Sequence, residues 1–210
     1  MSSEMLWNER EASQYMFRVP FLVAVALAIA FGVGILITKS VISRSSGFSA
    51  LVLGAWQAYP KAQTSEADPY ARNHRAKASG LLLGSAEGLV FYADNDDAGD
   101  ALTGGCTYRI SGKVPQARFW TLSTSDMANK PLQMLPGLPS ALNAQSVLYD
   151  NDGTLTVSVS QTPQPGNWLA VPAVGHYRLA FTLFDTPVAG SSGLIEQSMP
   201  HIVREGCGNA

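Results

Sequence analysis

Three histidines and two cysteines are all that this 210-residue chain offers a transition metal. His74, His176 and His201 share no HxH or HxxxH spacing, and Cys106 and Cys207 form no CxxC pair. Zinc sites rely on such short spacings because two ligands from one turn or strand fix half the tetrahedron. The sequence therefore predicts neither a metal nor another cofactor. Charge is scarce as well. Only 14% of residues are charged and the formal net charge is −2, so no basic field exists to hold a phosphate backbone. From Ser45 onward 10 Lys+Arg stand against 13 Asp+Glu, a balance of −3. Nucleic acid is excluded as a partner on that count.

Catalytic motifs are missing too. Gly190-Ser191-Ser192-Gly193 approaches the nucleophile elbow, but neither serine has both outer glycines. The acidic run from Asp94 to Asp100 invites a calcium reading. An EF-hand needs an oxygen ligand where Ala98 stands and a Glu where Gly105 stands. A solvated hairpin loop fits the run better. Asp126, Asp150 and Asp185 lie near expected strand ends. A carbohydrate-active hydrolase or isomerase would need two such carboxylates facing one cleft.

What is present begins with a long apolar run. Residues 19–38 carry no charge, and twenty helical residues span roughly 30 Å, the thickness of a bilayer core. Pro20 reads as the start of this helix, where its missing N–H does no harm. A cleavable signal peptide is the rival, but its apolar region is usually about 7–15 residues. Residues 39–44 also offer no small-x-small cleavage site. Arg10 and Arg18 before the run balance Lys39 and Arg44 after it, so flanking charge does not orient it. Cys106 and Cys207 break the tie. An even cysteine count without metal spacing favours one disulfide and an oxidising compartment. The expected layout is a cytoplasmic tail (1–18), a transmembrane helix (19–38), a juxtamembrane helical linker (39–67) and a periplasmic β domain (68–210). The chain is then an integral, single-pass protein of a bacterial inner membrane.

Within the exported part, Phe48, Leu51, Val52, Ala55, Trp56 and Tyr59 recur at helical spacing, and Pro60 stops them. A second helix opens with Asp68 as cap and Pro69 in the first turn. It carries Arg72, Arg75 and Lys77 and ends near Gly84. Then the texture changes. Residues 89–94, 106–111, 117–125, 146–149, 154–160 and 176–184 read as strands, and Asn151-Asp152-Gly153 as a tight turn. Leu155, Val157 and Val159 alternate with small polar residues, so one face of that strand is apolar. Six or more such strands imply an antiparallel sandwich or barrel.

Several stretches in fixed order resemble a bacterial family, domain of unknown function 1214. They are Asp68-Pro69-Tyr70-Ala71-Arg72, the segment from Gly105 to Gly112, Ala117-Arg118-Phe119-Trp120-Thr121-Leu122, and Asn151-Asp152-Gly153. Asn167-Trp168-Leu169-Ala170-Val171-Pro172 and the segment from Tyr177 to Phe184 complete the set. The resemblance runs from about Asp68 to the C-terminus and implies an antiparallel, jelly-roll-like β-sandwich. It implies no reaction and no catalytic residues. Where the family often has Pro, this chain has Ala170.

Tyr108, Phe119, Trp120 and Tyr177 are expected in the core, as aromatics of sandwiches mostly are. Trp168 stands apart. It follows Pro163-Gln164-Pro165-Gly166-Asn167, a loop context in which the indole stacks on a sugar while Asn167 hydrogen-bonds it. Asn167 equally suits capping the loop's own backbone. Asn167 and Trp168 are thus the candidate ligand-binding residues of a non-enzymatic envelope module that binds a glycan or a protein partner. Two alternatives remain. One is a periplasmic carbohydrate-active enzyme. The other is a structural subunit whose Gly32 and Gly34 let another membrane helix approach.

Overall fold

The computed structural model describes residues 3–44, 50–77, 83–84, 86–173, 175–189 and 198–208. The chain divides into two compact units, Met1–Ser45 and Ser46–Ala210.

The first unit is one helix, α1 (Ser3–Arg44). Within it Arg18–Val41 is long and apolar enough to cross a membrane. Phe21, Leu22, Phe31, Ile35 and Leu36 are all more than 60% exposed. By length and composition this helix is a candidate membrane anchor or signal sequence. Pro20 does not start the helix as expected; it lies inside it. The residues ahead of it, with Glu, Leu, Met, Arg and Ala among them, are helix formers and carry the helix back to Ser3. The proline costs one internal hydrogen bond on the way.

The second unit is mainly β. Its elements are β1 (Leu51–Leu53), β2 (Trp56–Ala58), α2 (Pro69–Lys77), β3 (Gly88–Ala93), β4 (Cys106–Gly112), β5 (Phe119–Ser125), β6 (Ala141–Asn143), β7 (Leu155–Ser160), β8 (Asn167–Ala170), β9 (Arg178–Phe184) and β10 (His201–Cys207), with a short 3-10 turn at Pro187–Ala189. They form a six-stranded sheet ordered β1-β2-β3-β9-β5-β6 and a four-stranded sheet ordered β10-β4-β7-β8. Alternation sends Leu89, Phe91, Trp120, Leu122, Phe181 and Leu183 of the first sheet into one core. Tyr108, Ile110, Leu155, Val157, Leu169 and Ile202 of the second join them. Trp56 and Trp120 both pack on Phe181, with ring centroids 5.7 and 5.0 Å away. As expected, Tyr108, Trp120 and Tyr177 are buried; Phe119 instead lies half-buried against Phe184.

Four local expectations need correction. The helix read from Phe48 to Tyr59 is an antiparallel hairpin, β1–β2, with Leu53 opposite Trp56; Phe48 itself lies outside the described residues. Gly54, at φ +61°, makes the turn, and Trp56 is 1% exposed with its indole N–H donating to the Pro200 carbonyl at 2.7 Å. A helix there would pull Trp56 out of the core. Next, residues 146–149 are not a strand: Ser146 ends a turn, Tyr149 makes only an isolated bridge, and the nearest strand is β6 instead. The sheets are not wholly antiparallel, because β7 and β8 run parallel. Finally, the loop around Trp168 is β8.

The second helix starts as the sequence says. Asp68 Oδ1 accepts the Ala71 amide at 2.7 Å, and Ala71 packs with Ala62, Ala67 and Tyr59 in a small second core. The helix is described to Lys77; its expected end near Gly84 crosses 78–82, outside the described residues, and Gly84 is not helical.

Candidate functional site

Because Ile202, Ile110, Val157 and Leu169 point inward, their strand neighbours share the outer face of the four-stranded sheet. Register aligns them in two rows. His201 lies opposite Ser111, and Ser111 opposite Thr156; Val203 lies opposite Arg109, Arg109 opposite Ser158, and Ser158 beside Trp168. Such partners stand about 4.5–5.5 Å apart at Cβ. A bridge between Tyr149 and Leu155 brings Leu148 alongside Thr156 at the end of the first row. The face is open: the side chains of His201 and Arg109 are 72% and 56% exposed, and Leu148 and Val203 74% and 51%. Arg109 forms an ion pair with Glu205 on the same face. Hydroxyls and Arg109 therefore hold the two central strands, and Leu148, Trp168 and Val203 stand at the margins beside His201 and Glu205.

Trp168 is partly buried, and its indole N–H donates to the Ser160 carbonyl and hydroxyl, both at 3.1 Å. That bond lays the ring across β7, where Ser160 is only 1% exposed. Asn167 bonds to backbone, as one of its two expected roles had it, but to the backbone of Leu148 and Thr156 and not that of its own loop. Its amide oxygen accepts the Leu148 N–H at 2.7 Å, and its NH2 donates to the Leu148 and Thr156 carbonyls at 2.7 and 2.8 Å. The amide is committed to the backbone, so it fixes the margin beside Trp168. Arg109, Ser158 and Glu205 are the polar side chains that share the outer face with Trp168. Sequence reasoning missed them because only strand register joins them to Trp168.

The acidic run has a structural task. Asp94 meets Arg178 through two bonds of 2.5 and 2.6 Å, and Arg204 bridges Asp96 and Asp100 at 2.9 and 3.2 Å. Asp97 closes the free edge of β10. Its N–H donates to the Ile202 carbonyl at 2.9 Å, and its carboxylate accepts the Ile202 N–H at 3.2 Å and meets His201 Nδ1 at 2.7 Å. A carboxylate engaged in this way is not a free calcium ligand. No group of three metal-ligating side chains occurs among the described residues.

Catalytic groupings are equally unsupported among the described residues. Asp126 follows Ser125, which pairs with Arg178, and Asp185 follows Phe184, which pairs with Phe119. The two carboxylates thus sit at opposite ends of the β5–β9 pair, roughly 20 Å apart at about 3.4 Å per residue. Asp126 caps the Ala128 and Lys130 amides, and Asp150 accepts from the Thr156 hydroxyl. Asp97 and His201 do form a pair opposite Ser111, but no hydrogen bond joins the imidazole to that hydroxyl. His176 is exposed beside Thr103. The His74 side chain and the motif Gly190-Ser191-Ser192-Gly193 lie outside the described residues.

Cys106 and Cys207 are joined by a disulfide across 101 residues. They are directly opposed in the β10–β4 ladder, so the bond fastens the last pair of that ladder.

The chain resembles several solved structures, among them one from Vibrio parahaemolyticus and one from Burkholderia cenocepacia. A Vibrio parahaemolyticus protein, VPA0106, is 22% identical with a TM-score of 0.53; the match covers 63% of this chain and 34% of that one. This chain thus spans about a third of the Vibrio protein, and the likeness is one of fold. An uncharacterized protein from Burkholderia cenocepacia is 16% identical with a TM-score of 0.38, over 86% of this chain and 51% of that one. No curated protein matches the sequence. Residues 87–188, from the approach to β3 to the turn after β9, match the family described as protein of unknown function (DUF1214). That span is narrower than the resemblance read from the sequence, yet it contains Cys106, Arg109, Ser158 and Trp168 and is the part of the chain that the family's model matches.

Proposed function

We propose that the protein is a membrane-anchored, non-enzymatic binding module of the bacterial cell envelope. Residues 1–18 lie in the cytoplasm, 19–38 span the inner membrane, and the β unit stands in the periplasm. The hairpin β1–β2, from the segment first read as linker, belongs to that unit, and we read the unit as a jelly-roll-like sandwich. Repeated passage of the chain from one sheet to the other, as between β8 and β9 and between β9 and β10, supports this reading. The disulfide supports the compartment, since such bonds persist on the oxidising side.

The observation that carries the function is the outer face of the four-stranded sheet. A fixed indole, a paired guanidinium and carboxylate, and a bed of hydroxyls share one exposed surface. Among the described residues Asp97 and His201 pair opposite Ser111 without a hydrogen bond from the imidazole to that hydroxyl, and no group of three metal-ligating side chains occurs, which favours binding over chemistry. Two measurements test the reading. Alkaline phosphatase fused after residue 210 should be active; an inactive fusion, with an active cytoplasmic reporter at the same point, overturns the topology. Purified full-length protein should be retained on isolated envelope material, and Trp168→Ala should lose that retention while keeping its disulfide. Equal retention by the variant removes this face as the site.

A further inference from the structure

We propose that this face takes a neutral glycan chain laid across the strands, stacked on Trp168 and hydrogen-bonded by the Arg109–Glu205 pair; this rests on the binding-module reading above. Charge makes the first selection. The face carries one guanidinium, Arg109, already matched by Glu205, and Asp150 stands behind Thr156 on the Thr156 hydroxyl. The imidazole of His201 is held by Asp97. Lys113, exposed just past the end of β4, lies near Asp152, so each positive group here has a carboxylate close by, and an anionic polymer would have to displace Glu205 and approach Asp150.

A neutral sugar asks for something else. Its hydroxyls both donate and accept, and its ring offers an apolar C–H face. An Arg–Glu pair sets five N–H donors beside two acceptor oxygens, and bonds to charged groups are the stronger kind. Ser111, Thr156 and Ser158 add short hydroxyl side chains in line with that pair. Being short, they leave a shallow trough between Leu148 and Trp168 on one margin and His201 and Val203 on the other. The indole is already held by Ser160, so stacking does not cost the freedom of a loose side chain. Four strands at about 4.8 Å spacing give roughly 14 Å of surface, which suits a short run of sugar rings better than one.

A protein partner fits less well. Stable protein interfaces place apolar and aromatic residues at the centre and polar residues at the rim. Here hydroxyls and Arg109 hold the two central strands, and Leu148, Trp168 and Val203 stand at the margins beside His201 and Glu205.

The test is calorimetric titration of the full chain, in a sugar-free detergent, with two sets of oligosaccharides of equal length. The neutral set is cellohexaose and the hexamer of β-1,4-linked N-acetylglucosamine; the acidic set is oligogalacturonate and oligoalginate. At least one neutral oligomer should bind, with little dependence on salt, and the acidic ones should not. Trp168→Ala, Arg109→Gln and Glu205→Gln should each weaken binding about tenfold or more, equivalent to about 1.4 kcal/mol. Trp168→Phe keeps an aromatic ring and should retain most of the affinity, which separates lost stacking from a misfolded face. Binding of acidic oligomers alone, abolished by Trp168→Ala, overturns the neutral class and leaves the binding face standing. Binding of none of the four, or binding indifferent to Trp168→Ala, overturns both.

Discussion

Replacing Cys106 and Cys207 together by serine removes a cross-link that closes a 101-residue loop. In the chain-entropy treatment a loop of about that length restrains the denatured chain by about 4.7 kcal/mol at 25 °C. The folded side loses little to set against this. Cys207 already faces Cys106 in the ladder, and β10 keeps its other pairings with β4 from His201 to Gly206. Arg204 keeps Asp96 and Asp100, and Asp97 keeps Ile202. The destabilisation should therefore arise almost wholly in the denatured ensemble. Urea unfolding of the full chain in detergent, followed by tryptophan fluorescence, reads it directly. With a slope of about 2 kcal/mol per M, the midpoint should fall by roughly 2 M. The slope itself should rise, because a chain freed of its cross-link exposes more surface when unfolded. Unchanged midpoint and slope would refute the reasoning. So would two labelled thiols per chain in wild-type protein denatured without reductant.

Three further outcomes follow from single side chains. Asn167→Ala strips three hydrogen bonds from Leu148 and Thr156 and should cost about 1–3 kcal/mol; an unchanged urea midpoint counts against its tethering role. Tyr177 is 1% exposed, and its hydroxyl has no hydrogen-bond partner among the described residues. Tyr177→Phe should accordingly be neutral or stabilising by up to about 1 kcal/mol, and a clear loss of stability would show that the hydroxyl is satisfied. The Tyr59 phenol is pushed from 10.0 up to about 12 by burial, partly opposed by Arg178. The folded state thus holds this proton more tightly than the unfolded state does. Its contribution is complete below pH 10 and is lost as pH rises through about 12. Tyr59→Phe should flatten that alkaline limb, though burial also raises Tyr177 and leaves a residual slope; an identical limb in the variant disproves the assignment.

The parts that could be read from the sequence are those set by one local property. An uncharged run of bilayer length gives the apolar helix, Asp68 and Pro69 give the start of α2, and alternation gives β7. The hairpin β1–β2 was misread because residues 51, 52, 55, 56 and 59 satisfy a helical period, while the turn at Gly54 adds no apolar signal. In β10 only Ile202 is fully buried, so an edge strand looks like a polar tail. Its partner β4 lies about a hundred residues earlier, and no local pattern points there. The same limit applies to the candidate site. Trp168 is visible as an unusual residue, but its neighbours Ser158, Arg109 and Val203 are joined to it only by register. In the acidic run the carboxylates can be seen in sequence, while Arg178 and Arg204, which neutralise them, arrive from distant strands.

The late position of β10 also sets the order of events during biogenesis. Synthesis proceeds at about 5–20 residues per second, so β4 waits roughly 5–20 s for the strand that covers its edge. Until then Asp96, Asp97 and Asp100 lack Arg204 and His201, and Ile110 lacks Ile202 beside it. An uncovered edge of this kind is a template for pairing with another chain. Cys106 passes through the same interval as a free thiol, because its partner is 101 residues behind it. The disulfide can close only once residue 207 has been made, and a nascent chain stalled before it would present a free thiol beside an open strand.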